Sequence, residues 1–270
     1  MKKSPTHIRS VERAIELLQA LNKQAVSTLD SLYRQTGLPK PTLVRLLRTL
    51  EAKQLVSQSS QYGNYFLTAG VNTLSCGYHH EPLIVEASAP IMEALTKKIR
   101  WPLSVAVFKS DAMIIRYSTI SHSPWALLHS ITGMHVSMVN RALGRAYLAF
   151  SSPAEQEFIL QIVRQSEHPE DLLARDDKQM RKIINEIKKC GYALRNPAVS
   201  KGSATIAVPI FDEDRVVASL GLTWFLSAMT TKQIVDQHAV GLQKAAKDIS
   251  ARLKQLKASA KEIGVSAPLV

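Results

Sequence analysis

Apolar residues in the first 68 positions recur at helical spacing in three short runs and then switch to alternation. Val11, Ala14, Ile15, Leu17, Leu18 and Leu21 give one buried face to a helix capped by Ser10 and running to about Asn22. Thr28 caps a second, shorter helix on which Leu29, Leu32 and Tyr33 share a face. Gly37 supplies the left-handed residue that ends it, and Leu38 packs into the turn. A third helix starts near Lys40. Pro41 suits its first turn, where an N–H would have no intrahelical partner. Leu43, Leu46, Leu47 and Leu50 bury one side of it, leaving Thr42, Arg45, Arg48 and Thr49 elsewhere on its surface. From Gln54 to Gln58 the period becomes two, residues 59–64 are turn chemistry, and Tyr65, Phe66 and Leu67 return as a second strand. Three helices and a hairpin predict a winged helix-turn-helix whose third helix enters a DNA groove. A helical hairpin with solvated arginines is the plainer reading of the helices alone; the hairpin that follows weighs against it.

The remainder mixes both periods. Residues 69–80 read as a linker helix with Val71, Leu74 and Cys76 as its apolar positions, interrupted by Pro82. A long helix follows with Leu83, Ile84, Ala87, Ile91, Leu95 and Ile99 on its buried side. Residues 103–108 and 113–118 are a strand pair, and 126–129 is a candidate further strand. Helices are expected over 141–150, 154–164 and 177–190, the last ended by Gly191. Strands over 204–211 and 215–223 flank the acidic turn Asp212-Glu213-Asp214, and a final helix spans 231–257. Strand pairs bounded by helices, without regular βαβ alternation, predict an α+β domain on an antiparallel sheet. The expected organisation is a DNA-binding domain over 1–68, a linker helix over 69–81, a second domain over 82–257 and a flexible tail over 258–270.

Charge supports the first domain's assignment. The chain's net charge is +12, and its first 68 residues hold ten Lys or Arg against four acids, half of that excess in a quarter of the length. A basic surface gains affinity for a polyanion by releasing condensed counterions. Arg252, Lys254, Lys257 and Lys261 near the other end read as a solvated helix face. Two distant cysteines, Cys76 and Cys190, argue against a disulfide framework and a zinc site. The basic start has no apolar run behind it, so no signal peptide is expected. No apolar run approaches a membrane span, and a cytoplasmic location is expected. Catalytic signatures are missing: there is no nucleophile elbow, phosphate loop, dinucleotide fingerprint or zinc-protease motif. His79-His80-Glu81 comes nearest to a metal cluster, but adjacent helical side chains diverge, so a solvated linker end is the reading. The chain is expected to be no enzyme and to need neither cofactor nor metal.

The run Thr36-Gly37-Leu38-Pro39-Lys40-Pro41-Thr42-Leu43-Val44-Arg45-Leu46-Leu47-Arg48-Thr49-Leu50 resembles the helix-turn-helix of IclR-type transcriptional regulators. Ser10-Val11-Glu12-Arg13-Ala14 is similar to that family's first helix, and Gly63-Asn64-Tyr65-Phe66-Leu67 to the end of its wing. Further on, Ala142-Leu143-Gly144-Arg145-Ala146-Tyr147-Leu148-Ala149-Phe150 resembles the family's Gly-Lys-Ala helix. Gly191-Tyr192-Ala193 and Ile206-Ala207-Val208-Pro209-Ile210-Phe211-Asp212 resemble its later signature. The resemblance covers about residues 8–257. It departs at Pro41, where Ser is usual, and at Asn140-Arg141, in a stretch that is usually small and polar. Trp101-Pro102-Leu103-Ser104-Val105 and Asp111-Ala112-Met113-Ile114-Ile115-Arg116 look most like activators of hydroxyphenylpropanoate and related aromatic-acid catabolism.

The resemblance implies a winged helix-turn-helix domain, a linker helix and a C-terminal GAF-like domain. That last domain binds a small effector and helps pair subunits as a homodimer or homotetramer on palindromic promoter DNA. The DNA contacts expected from the exposed side and the start of the third helix are Lys40, Thr42, Arg45, Arg48 and Thr49. Carried over position by position, the effector pocket has Trp125, Leu128, Val136, Ala142 and Leu143 on a covering side. Arg195, Ser203, Thr205, Gly221 and Thr223 lie on the sheet side. Apolar walls with a few convergent donors suit an aromatic carboxylate, with Arg141 or Arg195 making the charge-assisted bond. Core packing is the plain alternative for Trp125, Leu128 and Val136, and an ion pair for either arginine. The expected function is control of catabolic genes by a small carboxylate. The alternatives are an enzyme acting on a small acid through the second domain, or a ligand-free oligomerising scaffold.

Overall fold

The computed structural model describes residues 7–24, 26–59, 63–74, 83–125 and 130–262, with side chains to residue 259. The chain divides into two compact units: of the described residues, the first holds those up to 74 together with Ser130, and the second those over 83–125 and from Ile131 onward.

The first unit opens with α1 (Arg9–Asn22), α2 (Leu29–Thr36) and α3 (Lys40–Ala52), followed by the hairpin β1 (Val56–Gln58) and β2 (Tyr65–Leu67). Leu17, Ala20, Leu21, Leu32, Leu38, Leu43, Leu47, Leu50 and Val56 form its core. The hairpin pairs Val56 with Leu67 and Gln58 with Tyr65. Ser27 exchanges backbone hydrogen bonds with Tyr65 (2.9 and 2.8 Å), which ties the segment before α2 to the wing.

Three details depart from the sequence pattern. Ser10 does not cap α1; the helix starts two residues earlier than such a cap implies, at Arg9, and Ile8 holds the cap position without a side-chain bond. Val11 and Ile15, expected in the core, are each 51% exposed. The turn of α1 that carries them faces a cleft beside α3, while the core takes Leu17, Ala20 and Leu21 one turn further on. Residues 69–74 form a 3-10 helix, and the rest of the expected linker helix lies outside the described residues.

The second unit begins with α4 (Leu83–Ile99), then β3 (Leu103–Lys109), β4 (Ala112–Ser118) and the short β5 (His135–Val136). Helices α5 (Ala142–Phe150), α6 (Pro153–Arg164) and α7 (Asp177–Cys190) follow, then β6 (Ala193–Leu194), β7 (Ser203–Asp212), β8 (Arg215–Phe225) and α8 (Thr231–Glu262). The six strands form one antiparallel sheet in the order β5-β4-β3-β8-β7-β6. Alternation along the strands gives the sheet two cores. One face buries Leu103, Val105, Ile206, Val208, Leu220 and Leu222 beneath α4 and α8. The other buries Ala106, Ala207 and Val216 beneath α5, with Ile159, Met180 and Ile184 of α6 and α7 in the same cluster. The expected α+β architecture on an antiparallel sheet is present. Strands β5 and β6, two residues each, carry too little alternation to be read from sequence.

Helix α7 ends as its glycine demands. Gly191 has φ of 75° and donates its N–H to the Ile187 carbonyl at 2.8 Å. In α4 the pattern misleads. Met92 and Thr96 are buried, and Ile91, Leu95 and Ile99 are only partly so. This helix is apolar on most sides and packs against both β3 and α8, so hydrophobicity alone does not pick its inner face. The last helix continues five residues past Lys257, and the candidate strand over 126–129 lies outside the described residues.

Candidate DNA interface and effector site

The helix-turn-helix is held by short-range bonds that present one side of α3. Thr28 caps α2 by accepting the Ser31 N–H at 3.1 Å. Thr36 Oγ1 donates to the Leu32 carbonyl (2.8 Å) and accepts from the Leu38 N–H (3.2 Å), fastening the turn from both sides. Gly37, at φ of 67°, donates to the Tyr33 carbonyl, and Leu38 is buried behind it. The Pro39 carbonyl then starts α3 by accepting the N–H groups of Thr42 and Leu43 (2.8 and 3.0 Å). With Leu43, Leu47 and Leu50 in the core, Arg45, Arg48 and Thr49 are exposed and Thr42 is half-buried.

The five polar groups expected at the DNA surface are not equivalent. Among the described residues, neither Arg45 nor Arg48 has a carboxylate partner. Thr49 Oγ1 donates back to the Arg45 carbonyl at 2.9 Å, leaving its oxygen lone pairs outward. Lys40 is paired: its Nζ lies 2.5 Å from Asp30 Oδ1, and that contact holds the Asp30 carboxyl below its ordinary range. Beside α3 lies a cleft of about 700 Å³, floored by Val11, Ala14, Ile15, Leu18 and Leu46 and rimmed by Arg9, Arg13, Arg45, Thr42 and Thr49. Sequence reading missed Arg9 and Arg13 as part of this surface. Their four-residue spacing on α1 was the available signal.

On the α5 face of the sheet, Val136, Ala142, Leu143, Thr205, Gly221 and Thr223 lie together, whereas Trp125 meets Trp101, a member of the α4–α8 core. Thr205 and Thr223 pair across β7 and β8, their hydroxyl oxygens 3.0 Å apart. Gly221, two residues along β8, has Leu143 above it. A Cβ there would lie 3.0 Å from Leu143 Cδ2 and 3.5 Å from Ser104 Oγ, so the missing side chain lets α5 sit close to the sheet. Ala142 and Leu143 are buried, and Val136 packs half-buried against the same cluster. Trp125 is 51% exposed, its ring 6.0 Å from that of Trp101, which in turn meets Phe225 edge-on at 6.0 Å. Plain core packing therefore does not describe Trp125. Leu128 lies outside the described residues.

The two arginines separate in role. Arg141 is a bidentate partner of Glu170, with Nε to Oε2 at 2.7 Å and Nη2 to Oε1 at 2.5 Å. Arg195 donates through Nη2 to the Ser203 carbonyl and to Ser203 Oγ (3.0 Å), both neutral oxygens. Burial first, then the Arg141 charge, holds Arg195 below the ordinary arginine range, and Glu170 acts against that shift. Asn140 and Asn196 clasp the two segments: Asn196 Nδ2 donates to Asn140 Oδ1 at 2.6 Å and Asn196 N to Asn140 O at 3.0 Å. Nearby, Arg145 reaches the carbonyls of Val139 (2.6 Å) and Leu194 (3.1 Å), and burial draws its pKa down to about 10. Sequence reading missed Glu170, Asn140 and Asn196. Glu170 stands 29 residues from its partner, and no local spacing marks it. No group of acidic, histidine and cysteine side chains among the described residues is arranged to hold a metal.

Comparison with known proteins bears on both units. Residues 10–60 match the IclR helix-turn-helix domain, and residues 76–251 match the C-terminal domain of bacterial transcriptional regulators of the IclR type. The HTH-type transcriptional regulator KdgR of Escherichia coli is 23% identical over 255 residues, covering 94% of this chain and 95% of that one. Among solved structures, IclR of Thermotoga maritima superposes with a TM-score of 0.63 at 18% identity, covering 92% and 99% of the two chains. An IclR homologue from Microbacterium hydrocarbonoxydans, solved with 4-hydroxybenzoate, gives a TM-score of 0.59 at 18% identity and covers 91% and 99%. These structures share the fold.

Proposed function

The chain belongs to the IclR family of bacterial transcriptional regulators, and from that premise we propose that it controls catabolic genes in response to a small aromatic carboxylate. It is a DNA-binding regulator with a C-terminal effector domain. The observation that carries the DNA half is α3: two exposed arginines without a carboxylate partner among the described residues, on a helix whose other side is locked into a core. In this reading Arg45 and Arg48 meet bases or phosphates, and Lys40, Thr42 and Thr49 touch the backbone or bases nearby. One module reads only a short half-site, so the working species is a homodimer, or two dimers, on a two-fold operator.

The effector half rests on Arg195. A half-buried guanidinium whose hydrogen bonds among the described residues go only to neutral oxygens suits an anion, and the Thr205 and Thr223 hydroxyls stand on the same face. Trp125 and Leu143 supply apolar wall for a ring. That a family member was solved with 4-hydroxybenzoate supports an aromatic acid as the ligand class. We assign residues 1–68 to the DNA-binding domain, 69–81 to the linker and 82–257 to the effector domain. The second domain is read as a sensor that returns its ligand unchanged, not as an enzyme.

Two measurements test the proposal. Arg45→Ala and Arg48→Ala should each weaken binding to the DNA upstream of the regulated genes, by roughly 1–3 kcal/mol where the lost contact is to a base. Unaltered affinity in both folded variants would remove α3 from the interface. A melting-temperature screen of aromatic and aliphatic carboxylates should show stabilisation by an aromatic acid that Arg195→Ala loses, because a ligand bound only by the native state stabilises it. A flat screen would end the aromatic-acid reading and leave the DNA-binding one standing.

A further inference from the structure

Arg141 and Arg195 meet in one corner of the effector face with unequal partners. Each is one residue from the Asn140–Asn196 clasp, and the Arg141 charge acts on Arg195. Glu170 takes the Nε–Nη2 edge of Arg141 and neutralises its charge, whereas Arg195 hydrogen-bonds only Ser203. Glu170 is built in. Its backbone carbonyl accepts from Ser137 Oγ (3.1 Å) and Asn140 Nδ2, and its side chain is 24% exposed against 33% for Arg141. Arg141, Arg195 and Glu170 together carry a net charge of +1, and the buried Arg145 beside them is turned to the Val139 and Leu194 carbonyls.

We propose that Glu170 is a built-in counter-ion that restricts the effector pocket to ligands carrying a single negative charge. The inference rests on the effector reading above. A first carboxylate is matched by Arg195. A second carboxylate would meet an Arg141 whose charge Glu170 already neutralises, with the Glu170 charge beside it. It would give up hydration without gaining an unneutralised cation, in a partly buried place where like charges are poorly screened. The pocket therefore selects monocarboxylates with a neutral remainder, and dicarboxylates of the same shape are excluded by charge and not by size.

The test is calorimetry on the full chain with 4-hydroxybenzoate, the dianion 4-hydroxyisophthalate and the neutral 4-hydroxybenzamide. The parent should prefer the monoanion over the dianion. Glu170→Gln keeps the side chain's shape and the backbone bonds of the turn, and should shrink that preference about tenfold, the scale of one charge-assisted bond, with little effect on the amide. Arg141→Gln combined with Glu170→Gln removes both charges and should move the preference back toward the parent, which a mere structural disturbance would not do. A preference unmoved by Glu170→Gln, or a double variant as tolerant as the single one, overturns the counter-ion role while 4-hydroxybenzoate binding by the parent keeps the effector reading. If no form binds any of these acids, the effector reading fails and this inference with it. Should Glu170→Gln not fold, Arg141→Gln is compared with the double variant. Glu170 stripped of its cation should weaken 4-hydroxybenzoate binding, and the double variant should regain it. Equal affinities would overturn the proposal.

Discussion

At the scale of single residues, both proposed surfaces hold a cation in check with a nearby carboxylate. Asp30 takes Lys40 at the start of the recognition helix, as Glu170 takes Arg141 in the effector domain. Asp30 is solvent-exposed, so its effect acts through charge at the DNA surface and little through stability. Asp30→Asn should free Lys40 for a phosphate, tightening DNA binding at low salt and steepening the dependence of log affinity on log salt by about 0.9. A titration of affinity against salt concentration checks this, and an unchanged slope would mean that Lys40 contacts no phosphate. The lysine, its spacing and its exposure are legible in the sequence. Its ion pair is not, because Asp30 and Lys40 meet only after Gly37 has turned the chain. The same holds for Arg141, offered by the sequence as an anion anchor on equal terms with Arg195, and distinguished only when a distant turn brings Glu170 to it.

At the scale of elements, close approach governs what can change. A Cβ at Gly144 would fall 2.3 Å from the Ser137 carbonyl oxygen and 2.4 Å from the Met138 Cα, both backbone atoms that cannot swing aside. Gly144→Ala should destabilise the second unit by about 2 kcal/mol, typical of an overpacked core, and displace α5 from the sheet. Thermal unfolding followed with ligand binding checks it; a variant as stable as the parent would mean that the backbone yields freely there. On α8, burial lowers the pKa of His238 from its ordinary 6.5. The unfolded chain then takes up this proton more readily than the folded one. Stability should therefore fall as pH drops through 6.5 and below, and His238→Gln should blunt that part of the fall. Denaturant midpoints at pH 7.5 and 5.5 for parent and variant decide it. Elements with one clear apolar stripe, such as α3 and α7, were readable in advance. Helix α4 and the first turns of α1 were not, since the former is apolar on most sides and the latter give Val11 and Ile15 to a cleft instead of a core.

At the scale of the whole molecule, the +12 charge with half of its excess in the first 68 residues marks one end of the chain for a polyanion. Among the described residues, no helix is long and apolar enough to cross a membrane. A regulator that reads a two-fold site should sediment as a dimer or larger at micromolar concentration, and a strict monomer both free and on DNA would contradict the assembly proposed above. The sequence by itself determined the helix-turn-helix, the paired strands and the α+β class. Each of these follows from periodicity, caps and turns that act within a few residues, as at Thr28, Gly37 and Gly191. Tertiary structure alone decided which face of the sheet α5 covers and which cations stay unpaired. It also brought Thr205 against Thr223, Arg145 against Leu194 and Glu170 against Arg141. Those contacts join residues tens of positions apart, and their chemistry depends on distance and burial, which no spacing along the chain encodes.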